Sequence, residues 1–289
     1  MAEFVERRWT SRDGLSLYAR DYAGAAGDAR LPVVCLHGLT RNSKDFEELA
    51  PLIAAAGRRV IVPDVRGRGQ SDRDPNPTNY VPNTYARDVI RLLDKLGIAR
   101  AVFIGTSMGG IMTLAISGMR RRLVSAAVLN DVGPEVSTVG IERIKSYVGK
   151  KVDIGSWDEA ASYLKSINGV AFPDNRDSDW ATFARRTFAE REGGPVLDYD
   201  PAIMQPLSQN RYKAMTVIAW FLFKRLARTV SFLLIRGELS DLLSKEIADK
   251  MRLRAPAMAY AEVPRVGHAP TLSEPAAAKA IAKFLSEAP

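Results

Sequence analysis

The strongest candidate for chemistry in this sequence is a serine between two glycines. The segment Gly105-Thr-Ser107-Met-Gly109 follows the apolar run Ala101–Ile104 and precedes a helical pattern. A serine on a sharp strand-to-helix turn projects its hydroxyl from the edge of a sheet, and glycine two positions to either side leaves room for that turn. The helix that follows presents free backbone N–H groups to a developing anion. The pattern therefore predicts a nucleophilic serine at position 107.

Only two histidines are available as a base for this serine. His37 follows the apolar run Pro32–Leu36, and His268 lies in the loop after the last apolar run, Met258–Val263. Active sites of parallel sheets form at the carboxyl ends of the strands, so both rings are expected at the same rim as Ser107. The positions of the two histidines therefore leave both of them as candidates.

Apolar strands alternate with amphipathic helices along most of the chain. Runs such as Pro32–Leu36 and Ala101–Ile104 are followed by loop residues and then by a helical period, of which residues 84–97 are the clearest example. At the start of the chain, an Asp-Gly turn signal separates the alternating segments Phe4–Thr10 and Leu15–Tyr22, which predicts a hairpin. The alternation predicts an α/β fold with a mostly parallel central sheet and helices on both faces.

The strand–helix alternation stops at about Pro134 and resumes at Val230–Ile235. We therefore expect a core of residues 1–133 and 211–289, interrupted by an all-helical insert of residues 134–210. Residues 135–225 contain 12 of the 23 aromatic residues, which suits either a small core of the insert itself or the wall of an apolar pocket. As substrate-contacting side chains the sequence offers Trp157, Trp180, Phe183 and Phe188.

Composition and charge exclude several classes of protein. The 289 residues are 46% hydrophobic and 26% charged, as in ordinary globular proteins. One cysteine, Cys35, and two histidines cannot supply the four nitrogen or sulfur ligands of a structural zinc site, so we expect no such site. The net charge of +8 comes from scattered arginines without a nucleic-acid-binding module, which indicates a solvated surface and no nucleic-acid partner.

Two further observations favour a cytoplasmic protein. The longest fully apolar stretch, Val217–Phe223, is far shorter than the about 20 residues of a membrane helix, so no membrane partner is expected. The first nine residues contain no apolar region of the kind found in signal peptides. The expected partner is a small-molecule substrate, and the expected assembly is a monomer or a homodimer.

The chain resembles the α/β-hydrolase superfamily from end to end, in its serine-nucleophile branch with a helical cap. Beside the turn at Ser107, it carries His37-Gly38, a pattern that this family uses in its oxyanion hole, and residues 64–71 resemble the family's D-x-R-G-x-G-x-S loop. The resemblance implies that His268 is the base, that His37 is a structural residue of the oxyanion loop, and that the insert is the cap.

The acid of the triad is taken from the segment Arg236-Gly-Glu-Leu-Ser-Asp241, after the seventh strand of the family's sheet. The family's common spacing places the acid three residues after the glycine, where this chain has Ser240, and Asp241 follows one residue later. Glu238 and Asp131 are the alternatives, and some relatives place their acid at the position of Asp131. We predict Asp241, because it lies in the loop opposite His268 in the usual topology.

The resemblance implies hydrolysis of small carboxylic esters through an acyl-enzyme on Ser107, with backbone N–H groups of Leu39 and Met108 binding the oxyanion. We expect neither a metal nor an organic cofactor, because this mechanism needs none. The enzymatic alternatives are a C–C bond hydrolase of ring-cleavage products and a lactonase. For a C–C bond hydrolase, the sequence offers four side chains to bind a dienoate: Arg41, Asn42, Arg185 and Arg186. The non-enzymatic alternative is a ligand-binding module on the same fold.

Overall fold

The computed structural model describes residues 3–27, 29–206 and 212–289, and these contain ten β-strands. The strands are β1 (Val5–Thr10), β2 (Ser16–Tyr22), β3 (Val33–Leu36), β4 (Val60–Asp64), β5 (Ala101–Thr106), β6 (Val124–Asn130), β7 (Phe188–Arg191), β8 (Gly194–Leu197), β9 (Ser231–Gly237) and β10 (Ala259–Val263). Eight of them form one sheet in the order β1-β2-β4-β3-β5-β6-β9-β10 within the described ranges.

The sheet is antiparallel at one edge and parallel everywhere else. The predicted hairpin is confirmed as β1 and β2, with Thr10 opposite Ser16, and β2 pairs with β4 in the antiparallel sense. From β4 to β10 all neighbours are parallel. Every residue of β3 and β4 is buried, because helices cover both faces of the sheet. The predicted α/β fold with a mostly parallel sheet is confirmed.

Nine α-helices occur in the described part of the chain. They are α1 (Leu49–Ala55), α2 (Pro82–Lys95), α3 (Met108–Met119), α4 (Thr138–Tyr147), α5 (Trp157–Asn168), α6 (Asp177–Thr187), α7 (Tyr212–Ala227), α8 (Lys245–Arg254) and α9 (Pro275–Glu287). Side chains of α2, α3, α7 and α8 pack on one face of the sheet, and those of α1 and α9 pack on the other. The two apolar layers hold the carboxyl ends of the parallel strands at a common edge.

The insert, defined here as residues 134–206, lies outside the main sheet. It contains α4, α5 and α6 and has its own apolar cluster around Trp180 and Phe188. The prediction that it is all-helical is wrong, because β7 and β8 form an antiparallel hairpin. Glu192 and Gly193 make the turn between these strands, and Gly193 and the first residue of β8, Gly194, have positive φ angles of 95° and 123°. Residues 207–210, the predicted end of the insert, lie outside the described residues.

Helix α7 follows the insert and returns the chain to the main sheet. Phe223 is fully buried in the apolar layer with α3, whereas Val217 and Phe221 on the opposite side are 71% and 62% exposed. At 16 residues α7 is the longest helix of the described ranges. Neither α7 nor any other helix in those ranges combines the length and the apolar character that a bilayer crossing requires.

Candidate active site

The turn at Ser107 has the geometry that its glycines predict. Ser107 lies between the end of β5 and the start of α3, with φ 52° and ψ −116°. A Cβ atom on Gly105 would lie 2.5 Å from the backbone of Gly109, and one on Gly109 would lie 2.1 Å from the carbonyl oxygen of Leu36. Both distances are too short for any side chain, so glycine is required at both positions. The strain of the left-handed turn is held in place by strands packed on either side.

His268 connects Ser107 to a buried carboxylate. Its Nε2 lies 2.9 Å from Ser107 Oγ, and its Nδ1 lies 2.7 Å from Asp131 Oδ2. The ring belongs to the loop after β10, and its side chain is only 9% exposed. Serine hydroxyl, imidazole and carboxylate therefore form a continuous hydrogen-bonded chain, with the geometry of a nucleophile, its base and an orienting acid.

Asp131 is held rigidly in the loop after β6. It is completely buried, and its φ of 54° turns the chain directly after the strand. Its Oδ1 accepts from the backbone N–H of Gly237 at 2.9 Å, and its Oδ2 accepts from Ser240 Oγ at 2.6 Å in addition to His268. A buried carboxylate needs several donors to be tolerated, and these neutral donors also fix its orientation toward the imidazole.

The prediction of Asp241 as the acid is corrected by these contacts. Asp241 instead forms a bidentate ion pair with Arg143 of α4, in which Nη2 lies 2.9 Å from Oδ1. Burial disfavours the charged form of Asp241, but Arg143 outweighs it and lowers the pKa of the carboxyl. The other alternative, Glu238, accepts from the backbone N–H of Arg265 at 2.7 Å.

His37 is completely buried, and neither of its ring nitrogens binds Ser107. Its Nε2 accepts from the backbone N–H of Val65 at 3.0 Å, which leaves Nδ1 to donate to the carbonyl oxygen of Gly38 at 2.8 Å. Burial lowers the pKa of His37 to about 4, so the ring is neutral near pH 7. These contacts agree with the structural role that the resemblance implies, since they tie the oxyanion loop to the loop after β4.

The backbone around Ser107 provides places for two oxyanion donors. Helix α3 begins at Met108, so the N–H of this residue has no partner within the helix. Gly38 lies beside the serine, because a Cβ atom on it would be 3.9 Å from Ser107 Cβ, and Leu39 lines the same cavity. Leu39 and Met108, the residues predicted as oxyanion donors, thus both lie close to the serine.

A cavity of about 420 Å³ opens over Ser107 and His268. The sheet side contributes Gly38, Leu39 and the serine itself, and the insert forms the other wall. The insert residues that line it with rings or aliphatic side chains include Ile144, Tyr147, Tyr163, Phe172, Phe183 and Tyr199. Among the described residues, no group of three or more His, Cys, Asp or Glu side chains is arranged to hold a metal ion.

Of the four aromatic residues predicted to contact substrate, only Phe183 lines the cavity. Trp180 is 2% exposed and stacks on Phe183 with the ring centroids 6.0 Å apart, so it supports the wall from behind. Phe188 is equally buried and meets the edge of Tyr163 at 6.4 Å, and Trp157 is covered by the Arg185 guanidinium at 3.7 Å. Trp157, Trp180 and Phe188 therefore belong to the core of the insert.

Sequence reasoning missed the three tyrosines of the cavity, Tyr147, Tyr163 and Tyr199. Tyr147 is the last residue of α4 and lies on the same helix face as Ile144, three residues earlier, which also lines the cavity. This i, i+3 relation is the signal that could have identified it. Tyr199 lies in a loop after β8, where no periodicity marks the inward face.

The arginines that the sequence offers for a dienoate already have partners. Arg41 lines the cavity, but it forms an ion pair with Asp45, donates to Thr187 and lies 4.3 Å from the centroid of the Phe183 ring. Arg186 pairs with Glu47 and Glu48. The amide of Asn42 donates to the Arg186 carbonyl oxygen and to Asp198. The side chains of Arg41, Asn42 and Arg186 therefore connect the insert to the core, whereas Arg185 lies against Trp157 within the insert.

Comparison with known proteins agrees with the fold. A model of the alpha/beta hydrolase fold matches residues 32–190. The chain is 33% identical over 259 residues to a 3-hydroxybutyrate-oligomer hydrolase of Cupriavidus necator, covering 86% of this chain and 87% of that protein. A crystal structure of an alpha/beta hydrolase from Novosphingobium aromaticivorans is 43% identical, with 99% of each chain covered and a TM-score of 0.91. The chain belongs to the alpha/beta hydrolase fold family.

Proposed function

We propose that this hydrolase cleaves small carboxylic esters through an acyl-enzyme on Ser107, with His268 as base and Asp131 as the acid that orients it. The observation that supports this is the hydrogen-bonded chain Ser107–His268–Asp131, whose serine and histidine line the cavity. The insert acts as a cap in this proposal, because its side chains form the wall opposite the serine.

The first half of the reaction forms the acyl-enzyme. Ser107 Oγ attacks the ester carbonyl carbon while its proton passes to His268 Nε2, and Asp131 stabilises the resulting imidazolium through Nδ1–H. The tetrahedral intermediate carries its negative charge on the former carbonyl oxygen, which accepts from the N–H groups of Leu39 and Met108. One such donor contributes about 10² to 10³ in kcat in comparable sites.

The second half releases both products. The intermediate collapses when the C–O bond to the alcohol breaks and His268 returns the proton to the leaving oxygen. A water molecule then gives a proton to His268 and attacks the acyl carbon. The second tetrahedral intermediate collapses when the bond from the acyl carbon to Ser107 Oγ breaks, His268 returns the proton to that oxygen, and the carboxylic acid is released. Apart from this water molecule, the cycle uses only groups that the chain itself provides.

The similarity to a 3-hydroxybutyrate-oligomer hydrolase supports an ester as the scissile group. Units in an oligomer of 3-hydroxybutyrate are joined by ester bonds, and the hydrolase named for that oligomer is 33% identical over 86% of this chain. The cavity of about 420 Å³ lies within the range of small-ligand sites and suits a short acyl chain. We therefore propose short aliphatic and hydroxy-aliphatic esters as the substrate class.

The charges around the cavity favour ester over C–C bond hydrolysis. A dienoate substrate carries a carboxylate that needs an available cation, and C–C cleavage must also stabilise a carbanion-like leaving group. The cations that line the cavity, Arg41 and Arg186, are balanced by Asp45, Glu47 and Glu48. Ester cleavage makes no such demand.

A direct comparison of substrates tests the proposal. We would measure kcat/KM for 4-nitrophenyl acetate and butyrate, for the linear dimer of 3-hydroxybutyrate, and for a vinylogous 1,5-diketone ring-fission product. Esters should be preferred, and Ser107→Ala should remove hydrolysis and labelling by a fluorophosphonate while the protein stays folded by circular dichroism.

Two results would contradict the proposal. A preference for the diketone by more than tenfold, equivalent to about 1.4 kcal/mol of transition-state free energy, would favour a C–C bond hydrolase. An inert wild-type protein whose Ser107 also fails to react with the fluorophosphonate would favour a ligand-binding module. Phe188→Leu provides a control for the insert, since Phe188 supports the cavity wall without lining it.

A further inference from the structure

Arg68 is a buried cation whose hydrogen-bond partners are all neutral. It lies in the loop after β4 and is 1% exposed. Its nitrogens donate to the carbonyl oxygens of Leu39 at 2.9 Å and Arg66 at 2.8 Å, and to the hydroxyl of Tyr85 at 3.0 Å. Across residues 3–27, 29–206 and 212–289, no carboxylate oxygen lies within 4.0 Å of this guanidinium. The N–H groups of the guanidinium therefore have acceptors, but no carboxylate of the described residues is in contact with its positive charge.

Arg66, two residues earlier in the same loop, is a buried arginine whose charge is fully paired. It is also 1% exposed, and it forms ion pairs with Asp13, Asp74 and Asp88, two of them at 2.7 Å. A buried charge without a counter-ion is costly, and proteins usually pair or remove it. In this loop Arg66 is paired with three carboxylates and Arg68 with none. The burial of the Arg68 charge therefore needs a separate explanation.

The position of Arg68 supplies that explanation. Its Nε binds the carbonyl oxygen of Leu39, and its Nη2 lies 3.8 Å from Met108 Sδ. It therefore contacts both residues whose backbone N–H groups serve as oxyanion donors in the proposed mechanism. The ring centroids of Tyr80 and Tyr85 lie 5.6 and 4.9 Å from its central carbon, which limits the movement of the guanidinium plane.

We propose that Arg68 is a positioning residue of the oxyanion hole, and that the negative charge which balances it is the oxyanion formed during the reaction. This inference rests on the proposed ester hydrolysis. The hydrogen bond to the Leu39 carbonyl holds this residue in the orientation that its N–H needs. Charges act strongly across a buried site, so a fixed cation beside both donors stabilises the tetrahedral intermediate more than the neutral ester.

Two substitutions of Arg68 and one matched control test this role. Arg68→Met keeps much of the apolar volume and removes the charge, whereas Arg68→Lys keeps the charge and loses the planar group. Arg58 is the control, because it is 2% exposed and its guanidinium binds the backbone carbonyls of Leu285 and Ala288, at the end of α9. Arg58→Met removes a buried guanidinium without changing the neighbourhood of Ser107.

The measurements are kcat and KM for 4-nitrophenyl butyrate, counted per serine titrated with a phosphonate, and the affinity for an alkyl trifluoromethyl ketone. That ketone adds to a catalytic serine and creates an oxyanion. We expect Arg68→Met to lower kcat and ketone affinity together by about 10- to 100-fold, with KM changed by less than about threefold, since it acts on the donors without being one of them. Arg68→Lys should lose about two- to tenfold in both quantities.

The control separates this role from simple stabilisation of the fold. Arg58→Met should lower the melting temperature while kcat and ketone affinity stay within about twofold of the wild-type values. If Arg68→Met behaves like Arg58→Met, or if Arg68→Lys leaves both quantities unchanged when the Met variant does not fold, the inference is overturned and ester hydrolysis still stands. A wild-type protein that neither cleaves esters nor reacts with the phosphonate would overturn the proposed function itself.

Discussion

Two neighbouring loops each place an aspartate near His268, but the surroundings of the two carboxylates differ. In the loop after β6, Asp131 is completely buried and bonded to neutral donors and to the imidazole. In the loop after β9, Asp241 is 27% exposed at its side chain and is paired with Arg143. The comparison shows that the carboxylate bonded to His268 is the one without a permanent cation, and we propose that this difference suits Asp131 to the role of the acid.

The two aspartates differ in whether a positive charge lies beside them before the reaction begins. Asp241 has the Arg143 guanidinium beside it in every state of the enzyme, so formation of an imidazolium at His268 adds little to its stabilisation. Asp131 has dipoles and N–H groups but no cation in contact, so an imidazolium at 2.7 Å gains the full attraction at the moment it forms. Stabilisation that appears only during the reaction is what lowers the barrier.

Removing each carboxylate in turn gives the largest expected difference. Asp131→Asn should lower kcat by about 10⁴-fold, because the amide favours the wrong histidine tautomer and cannot stabilise the imidazolium. Asp241→Asn is the matched control and should lower kcat by less than about threefold, since it removes a charge that does not contact the ring. Steady-state kinetics with 4-nitrophenyl butyrate would check both, and the opposite order would restore Asp241 as the acid.

The acid could be moved from one loop to the other. Ser240 Oγ lies 2.6 Å from Asp131 Oδ2, so a carboxylate at position 240 would lie near the same histidine nitrogen. We expect Asp131→Asn combined with Ser240→Asp to recover about 10- to 100-fold of the kcat lost in Asp131→Asn. Asp131→Asn with Ser240→Asn is the control without the charge. Equal kcat values for the two double variants would show that the loop after β9 cannot supply the acid.

A smaller effect is expected when Asp131 keeps its charge but loses a donor. Ser240→Ala removes the hydroxyl that holds Asp131 Oδ2 and leaves the Gly237 N–H in place. We predict that kcat falls by about three- to tenfold, because Asp131 then holds the His268 ring less firmly in the orientation that Ser107 needs. Ser244→Ala, at the N-terminus of α8, serves as the surface control. An unchanged kcat would assign Ser240 to the fold alone.

The smallest effect concerns stability rather than rate. The pKa of Asp241 is lowered in the folded protein, so its ion pair stabilises the fold above the ordinary carboxyl pKa near 4, and this contribution is lost as the pH falls through the lowered value. Urea unfolding should show wild type more stable than Asp241→Asn by about 1 kcal/mol or less at pH 7. The gap should close toward pH 3. A gap that widens in acid would contradict the direction of the shift.

Much of the main sheet is predictable because its signals are local. The runs at Pro32–Leu36 and Ala101–Ile104 became β3 and β5, and residues 84–97 contain most of α2. Continuous apolar segments belong to strands buried on both faces, and a helix face repeats every three or four residues. The hairpin β7–β8 escaped prediction because its strands have four residues each and mixed exposure, which leaves too few positions for a period.

The residues of the site can also be separated into those with a local sequence signal and those without one. Ser107 could be recognised by itself, since its glycines, its strand and its helix are consecutive in the chain. His268 followed from the scarcity of histidine and from the family resemblance. The aromatic residues of the insert could not be sorted, because Trp180 and Phe183 lie on one short helix and only the packing of α5 against α6 decides which ring reaches the cavity.

The amino-acid sequence by itself determined the turn of Ser107, the histidine available to it and the sheet that carries both. Only the tertiary structure decided that Asp131 replaces Asp241 as the partner of His268. These aspartates are 110 positions apart, and they meet because β6 and β9 are adjacent parallel strands, with Asn130 opposite Ile235. The register places Asp131 directly against Gly237 and Ser240, and one residue further along the loop, Asp241 meets Arg143 from the insert.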